Sequence, residues 1–329
     1  MKKRIFLQFI LLYTLNSYSA FALSCSNGSN DSSSTGQSSS ARTASDVQTT
    51  ITHATKRDEN KQKVSGVGLS ILYNSKVILD TEKGDATVKR FDITDRKNKR
   101  YDADVEAGIF SYSKDLRDNL TVGIILPYRK IKVKDDVKTK LTTHSISPFV
   151  SFRTMKKGKF YNDLSFYGFL SLNTLKTKLD FDNKRDKIDY KELGFGATVN
   201  PTYKFNSMLT GDLSFGYQYS TYMIRKSDIT LTDNLDKDFV RKSFKPRHLI
   251  NIGTSLTVYP IENSKVILGY MYSSNVLGEQ KIKEERANYY YIKAYYTLWL
   301  FKFGLGYKKT DDANNYEEDT YMISASLNF

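Results

Sequence analysis

The sequence has few of the residues that build disulfide frameworks, metal sites and membrane helices. Its one cysteine, Cys25, excludes a disulfide within the chain. Its 3 histidines are scattered, and no group of cysteines and histidines has the spacing of a zinc site. Beyond the N-terminus no apolar run reaches about 18 residues, the length that a membrane helix needs. We therefore expect no metal, no cofactor and no transmembrane helix in the rest of the chain.

Aromatic residues and positive charge are abundant instead. There are 24 tyrosines and 19 phenylalanines against only 5 prolines, a composition that favours strands. The formal net charge is +14, which could attract nucleic acid, anionic lipid or an anionic substrate. The location of the protein has to decide among these three.

The N-terminus predicts export. Lys2, Lys3 and Arg4 precede the apolar run "IFLQFILLYTL", and "AFA" at 20–22 supplies the small residues of a cleavage site. Residues 1–22 are therefore predicted to be a signal peptide. Cys25 lies in "ALSC", which resembles a lipobox except that Ala22 replaces the usual leucine, so lipidation of Cys25 and a free cysteine both stay open.

Two regions follow the signal peptide. Residues 23–63 are Ser-rich, offer little apolar surface to bury, and are predicted to be a flexible tail in which "TTITHATKRDENKQK" could form a short helix. Residues 64–329 alternate apolar and polar residues with period two, as in Leu120, Val122, Ile124, Leu126 and Tyr128. The second region is therefore predicted to be all-β.

Three features predict a closed antiparallel transmembrane β-barrel, of 12 strands, and not a soluble sandwich. The alternating segments are long enough to cross a bilayer at a tilt, and aromatic residues crowd their ends. Short turns at 113–119, 154–162, 205–208, 260–264 and 297–301 interleave with charged loops at roughly 80–100, 133–141, 176–188, 225–246, 276–287 and 310–318. Short periplasmic turns and longer extracellular loops are typical of outer-membrane barrels.

The C-terminal segment adds a resemblance to that class. In "YMISASLNF" the alternate residues Tyr321, Ile323, Ala325, Leu327 and Phe329 resemble the terminal strand signal by which bacterial outer-membrane proteins are recognised for assembly. The resemblance implies an outer-membrane location and the barrel assembly machinery as a partner. "DNLTVGIILPYRKIKV" at 118–133 is similar to a strand of the MetA-pathway phenol-degradation family of outer-membrane transporters. That similarity implies passage of small, including aromatic, molecules.

The lumen is where a function would lie if the apolar faces meet lipid. The residues that alternate with the apolar ones would then line the lumen, and ten charged residues are predicted there: Asp102, Asp104, Glu106, Arg129, Arg153, Glu192, Asp212, Lys293, Lys302 and Lys308. Five acids would face five bases, so the lining would lack the single dominant sign of an anion-selective pore. The excess positive charge is therefore assigned to the loops and the tail.

Catalysis is not expected. Resemblance to outer-membrane lipid hydrolases would require a histidine and a serine two residues apart on one strand face, because the base must reach the hydroxyl. His144 is followed by Ser145 and Ser147, at offsets of one and three.

The predicted function is an outer-membrane channel or transporter for passive uptake of small molecules. The alternative is an autotransporter-like translocator barrel, a surface anchor or an adhesin, although only about forty residues separate the signal peptide from the barrel. The expected partners are outer-membrane lipid and lipopolysaccharide, whose phosphates suit the basic loops. No nucleic-acid role is expected of an exported barrel.

Overall fold

The computed structural model describes residues 75–92, 97–134, 137–179, 185–228, 246–276, 286–312 and 316–328. The predicted signal peptide, the Ser-rich tail and Phe329 lie outside these residues. The described part of the chain contains the strands β1 (Ser75–Asp92), β2 (Lys97–Arg117), β3 (Leu120–Lys134), β4 (Val137–Lys157), β5 (Phe160–Leu179), β6 (Arg185–Lys204), β7 (Leu209–Asp228), β8 (Arg247–Val258), β9 (Ser264–Asn275), β10 (Arg286–Leu298), β11 (Phe301–Asp312) and β12 (Tyr316–Asn328).

No helix in the described residues is long and apolar enough to cross a membrane.

The strands form one closed antiparallel sheet. Each strand pairs with its neighbours in sequence, and β1 pairs with β12 through a register that runs from Lys76↔Asn328 to Val88↔Tyr316. Closure gives every described strand a partner on both sides, so no edge of unpaired N–H and C=O groups is left. The predicted all-β, antiparallel barrel is confirmed.

Five short connections lie at one end of the barrel, which we call the short-turn rim. They consist of residues 118–119, 158–159, 205–208, 259–263 and 299–300. The first residues of β1 and the last of β12 lie at the same rim. Trp299 and Asn263 adopt the left-handed region there, at φ 56° and 64°, so these two turns keep residues other than glycine in a conformation that costs about 1–2 kcal/mol.

The loops predicted at the opposite rim are partly wrong. Residues 80–92 and 97–100, predicted as loop, belong to β1 and β2, and most of 133–141 and 176–188 belongs to β3 to β6. The charged residues in these segments extend strands because their backbone groups pair across the sheet whatever the side chains are. β2 and β4 reach 21 residues whereas β8, β9 and β11 have 12, so the wall is taller on the β2 to β7 side.

An apolar belt surrounds the outer face. Its exposed members include Leu126, Ile146, Phe166, Leu172, Leu193, Phe195, Leu213, Phe215, Ile252, Leu268, Ile292, Phe303, Leu305 and Ile323. On β3 the outward residues run from Leu120 to Tyr128, about 26 Å along the strand at about 3.3 Å per residue. At a strand tilt of about 40° this is about 20 Å along the barrel axis, close to the apolar band of membrane barrels.

Aromatic residues flank the belt on both edges. At the short-turn rim, the ring centroids of Tyr203 and Phe205 lie 5.0 Å apart. At the other edge, the ring centroids of Tyr128 and His144 lie 4.6 Å apart, and those of Tyr270 and Tyr290 lie 5.2 Å apart. Rings that are apolar in body and polar at the tip suit the two interfaces of a bilayer.

Inside the barrel, aromatic rings cover glycines on neighbouring strands. A methyl group at Gly269 would lie 2.1 Å from Cζ of Tyr291, and one at Gly196 would lie 2.4 Å from Cζ of Tyr167. Glycine is required at these two positions because the rings lie directly against the backbone.

We predict that Gly269→Ala destabilises the barrel by about 1–3 kcal/mol, because the Tyr291 ring must leave its position. The measurement is urea unfolding in detergent micelles. Gly168→Ala is the matched control, since the atom nearest to the added methyl group, the carbonyl oxygen of Gly194, is 3.8 Å away. Equal stability losses for the two variants would contradict the prediction.

Candidate functional site

The inner face carries a lysine sector on β9 to β11. Lys265, Lys293, Lys302 and Lys308 all point inward and are less than a tenth exposed. Two tyrosines lie among them: the Nζ atoms of Lys265 and Lys302 are 5.6 and 6.0 Å from the Tyr295 ring centroid, and Nζ of Lys293 is 5.5 Å from that of Tyr291. Lys265 pairs directly across the strands with Tyr295, while Lys308 pairs with Tyr291 higher up. The sector is thus a stripe of ammonium groups and aromatic faces that rises from the short-turn rim.

An apolar sector lies on the facing wall. It consists of the buried inward residues Ala107, Ile109, Ile125, Phe149, Tyr167 and Phe169 on β2 to β5. In the order of the described strands around the closed sheet, β3 and β9 are six positions apart, on opposite sides. The lumen is therefore amphipathic across its width, with cations on one wall and apolar groups on the other.

Ion pairs join several inward charges. Arg153 Nε and Nη2 donate to the two carboxylate oxygens of Asp163 at 2.9 and 3.1 Å, the bidentate geometry that suits guanidinium and carboxylate. Arg129 on β3 donates to Glu318 on β12, passing in front of β1 and β2. A further carboxylate, Asp212, accepts from Thr202 at 2.8 Å and from Ser255 at 3.0 Å.

The buried inward charges are unequal in sign. Six bases and four acids are buried on the inner face of the described strands: Arg129, Arg247, Lys265, Lys293, Lys302 and Lys308 against Asp163, Glu192, Asp212 and Glu318. The inward side chain of Arg153, 8% exposed, adds a seventh base. Positive charge is thus in excess on the described lining, whereas the sequence predicted a balance.

Three inward polar side chains on β7 to β9 are fully buried. Gln218, Asn251 and Ser273 are 0% exposed, and within the described residues Gln218 Nε2, Ser273 Oγ and both amide atoms of Asn251 have no hydrogen-bond partner. Asn251 and Ser273 are directly paired across the strands. Buried polar groups are normally satisfied by protein, water or ligand, so these atoms are suited to a hydrogen-bonding occupant of the lumen.

Seven of the ten predicted pore-lining residues point inward: Arg129, Arg153, Glu192, Asp212, Lys293, Lys302 and Lys308. They do not form one cluster, since Lys293, Lys302 and Lys308 belong to the lysine sector and the others lie on β3, β4, β6 and β7. Their role in the passage of a solute stays a prediction.

The remaining three, Asp102, Asp104 and Glu106, were assigned to the wrong face. On β2 the buried inward residues are Ala103, Val105 and Ala107, so the acids between them point outward. On β3 the residues directly across from them are Lys134, Lys132 and Lys130, and the side chains of Lys132 and Lys130 lie on the outer face. The physical reason is that this part of β2 lies beyond the apolar belt, where the outer face meets water and the inner face can pack apolar groups.

The sequence interpretation missed four buried inward charges: Asp163, Arg247, Lys265 and Glu318. Alternation within the belt contained the signal for two of them. Lys265 alternates with the outward Val266 and Leu268, and Asp163 alternates with the outward Leu164 and Phe166. Arg247 and Glu318 lie at strand ends, where the outer face is polar and alternation is uninformative.

The histidine and the two serines of "THSISPF" do not form a catalytic pair. His144 points outward, where its ring contacts that of Tyr128, whereas Ser145 and Ser147 point inward. The Ser145 hydroxyl shares a hydrogen bond with the Ser171 hydroxyl, and the Ser147 hydroxyl donates to the carbonyl oxygen of Gly168. On the outer face, Nδ1 of His248 forms a hydrogen bond of 2.7 Å with the Tyr217 hydroxyl. Among the described residues there is also no group of three or more His, Cys, Asp or Glu side chains placed to hold a metal.

The described residues of the terminal strand alternate between the two faces, whereas Phe329, the last residue of the predicted signal, lies outside the described residues. Tyr321 and Ile323 are 69% and 63% exposed on the outer face, while Met322, Ser324 and Ser326 are buried on the inner one. Recognition of this strand by an assembly machinery stays a prediction.

Comparisons with known proteins show similarity of structure only. No family model matches the chain, so the resemblance of residues 118–133 to the phenol-degradation transporters is not confirmed, and no curated protein matches it either. The translocator domain of the autotransporter NalP from Neisseria meningitidis aligns with a TM-score of 0.57 at 12% identity, covering 88% of this chain and 98% of that one. The transport unit of the autotransporter AIDA-I from Escherichia coli aligns with a TM-score of 0.51 at 10% identity, with the same two coverages of 88% and 98%.

An outer-membrane channel from Pseudomonas putida F1 aligns more weakly, with a TM-score of 0.48 at 10% identity over 83% of this chain and 100% of that one. At these identities the likeness to the two autotransporter barrels shows the fold alone.

We predict that Arg153→Met destabilises the barrel by about 3 kcal/mol, because it leaves the Asp163 carboxylate buried without its bidentate partner. The double variant Arg153→Met with Asp163→Asn should recover most of that loss, because no charge is then left unpaired. Urea unfolding in micelles measures both. A double variant as unstable as the single one would contradict the ion pair as the cause.

Proposed function

We propose that this protein is a barrel of the bacterial outer membrane. The proposal is supported by the closed sheet, the apolar belt with aromatic edges, and the likeness of fold to outer-membrane translocator barrels. In lipid a sheet can span only when all its backbone groups are paired, which closure achieves. The predicted signal peptide and terminal strand signal agree with this location. The short-turn rim would then face the periplasm, and the taller wall of β2 to β7 the exterior.

We infer that the barrel passes small organic anions. The observation that carries this proposal is the opposition of the lysine sector and the apolar sector across one lumen. An anionic group would be attracted to the ammonium groups of Lys265, Lys293 and Lys302, while an apolar or aromatic body would contact Phe149, Phe169 and the tyrosine rings. An excess of one sign along a lining is a basis of ion selectivity.

The passage would be narrow. Most inward side chains of the described strands are less than a tenth exposed, including many that are 0% exposed. A solute would therefore move between side chains and not through a wide aqueous tube, which favours small solutes and low conductance.

The second candidate is a translocator barrel, a surface anchor or an adhesin. Its support is that two autotransporter barrels share the fold over nearly their whole length. Protease treatment of intact cells would distinguish the two candidates. Cleavage of the Ser-rich tail at 23–63 would favour translocation to the surface, and protection would favour the channel.

We predict that Trp299 lies at the lipid interface. It is the only tryptophan in the sequence, it is 84% exposed on the turn between β10 and β11, and Leu298 and Phe301 flank it. Its fluorescence in reconstituted vesicles should be quenched more strongly by lipids brominated near the headgroup than by lipids brominated near the chain ends. Quenching by aqueous iodide alone, with no effect of either lipid, would contradict membrane insertion at this turn.

We predict anion selectivity in planar bilayers that depends on the inward lysines. Lys308→Gln should lower the anion-to-cation permeability ratio by about 16-fold, because a unit charge about 5 Å from an ion in water favours an anion and disfavours a cation by about 0.8 kcal/mol each. Lys309→Gln is the matched control, because Lys309 is the next residue on the same strand but points outward and is exposed. The reversal potential in a salt gradient measures the ratio.

Two further measurements test the channel proposal. Lys293→Glu with Lys302→Glu should shift the reversal potential toward cation selectivity. A reconstituted, folded barrel that passes neither ions nor benzoate into liposomes would overturn the proposal.

A further inference from the structure

Four lysines form a row on the outer face of β3 to β6, which we call the lysine row. It consists of Lys132, Lys140, Lys176 and Lys187. Each is the direct cross-strand neighbour of the next: Lys132↔Lys140, Lys140↔Lys176 and Lys176↔Lys187. Lys132, Lys140 and Lys176 are exposed, and the Lys187 side chain is 42% exposed.

The lysine row is electrostatically unfavourable for the protein alone. Like charges directly opposite each other destabilise a sheet, and in the part of the chain that the structure describes carboxylates contact only the two ends of the row. Glu106 lies 3.9 Å from Lys132, and Asp189 lies 2.7 Å from Lys187. Within the described residues, the two central lysines, Lys140 and Lys176, form no ion pair.

The surroundings of Lys140 show the same imbalance. Its pKa is lowered by partial burial and by the positive charges of Lys130, Lys176 and Lys132. Such lowering means that the folded protein disfavours the charged ammonium, and an anion placed between these lysines would oppose that effect.

The height of the row corresponds to lipid headgroups. One step closer to the belt the paired outward residues are Lys130, Thr142, Thr174 and Asp189, and the next step has Tyr128, His144, Leu172 and Lys191. The apolar Leu126, Ile146, Leu170 and Leu193 follow. From the lysine row to Leu172 is four residues, about 13 Å along the strand or about 10 Å along the barrel axis at a tilt of about 40°.

This height lies near the lipid headgroup layer. The headgroup layer is about 5–8 Å thick on each side of the hydrocarbon core. Lysine stems can also bend toward the interface and keep the ammonium group polar.

We propose that the lysine row is a binding site for the phosphate groups of lipids in the outer leaflet. The occupant is argued from the opposite charge and from the continuity of the row with the apolar belt, along which the acyl chains of the same lipid would pack. The inference rests on the proposed membrane location and not on the proposed solute, since these lysines point away from the lumen.

The test uses the purified full-length barrel in neutral detergent, with bisphosphorylated lipid A as the probe and the same lipid without its phosphates as the reference. Native mass spectrometry counts the bound lipid. The wild type should bind the phosphorylated lipid in preference. Lys140→Gln with Lys176→Gln should weaken this binding by about 25-fold, from about fivefold for each lysine near an anionic surface. Lys156→Gln with Lys157→Gln, at the short-turn rim, is the control of equal charge loss and should bind as the wild type does.

A stability measurement gives an independent readout. Without lipid, the double variant Lys140→Gln with Lys176→Gln should be at least as stable as the wild type, because repulsion within the row is relieved. With phosphorylated lipid A, the wild type should gain more stability than the variant, because a ligand stabilises the state that binds it.

Three outcomes would overturn the inference. They are equal binding of phosphorylated and dephosphorylated lipid, unchanged binding by the variant at the lysine row, and complete competition by millimolar inorganic phosphate, which would indicate a free-phosphate site instead. Failure of the membrane location is separately visible, because Trp299 would then not be quenched by brominated lipid in the wild type.

Discussion

The pairing of β1 with β12 is the contact on which the rest of the structure depends. It removes the two edges that an open sheet would have, and only then can the outer face be apolar without leaving backbone groups unpaired. Closure also fixes which side of every strand is inside. The lysine sector, the apolar sector and the lysine row are all consequences of one alternation carried around the ring.

The outer and inner faces obey different rules at different heights. Within the apolar belt the outward residues are apolar and the inward ones polar or small, as in β9, where Val266 and Leu268 alternate with Lys265. Beyond the belt the pattern inverts: the outward residues are polar and the inward ones apolar, because the outer face there meets water. Ala103 and Val105 then pack inside while Asp104 and Glu106 meet Lys132 and Lys130 outside.

Charge is distributed by the same geometry. Arg153 and Arg129 are joined to Asp163 and Glu318, and Lys265, Lys293 and Lys302 lie beside tyrosine rings, so the described part of the lining holds its excess positive charge among aromatic faces. The outward lysines on β3 to β6 instead face one another, and a row of this kind suits a phosphate-bearing membrane surface. The barrel thus presents cations on both its inner and its outer face, through different residues.

The sequence by itself determined the class of fold, because period-two alternation, aromatic strand ends and the absence of long apolar runs are local properties of the chain. It also placed inward charges at the height of the belt, such as Lys293, on the correct face, because the outward residues that alternate with them are apolar. Only the tertiary structure decided how far the strands continue beyond the belt. Charged segments such as 80–92 look like loops until a paired neighbour holds them extended, and whether Asp102 and Glu106 point inward or outward depends on where the apolar belt ends. The cross-strand register decided the rest, because it alone brings lysines from four separate strands into one row.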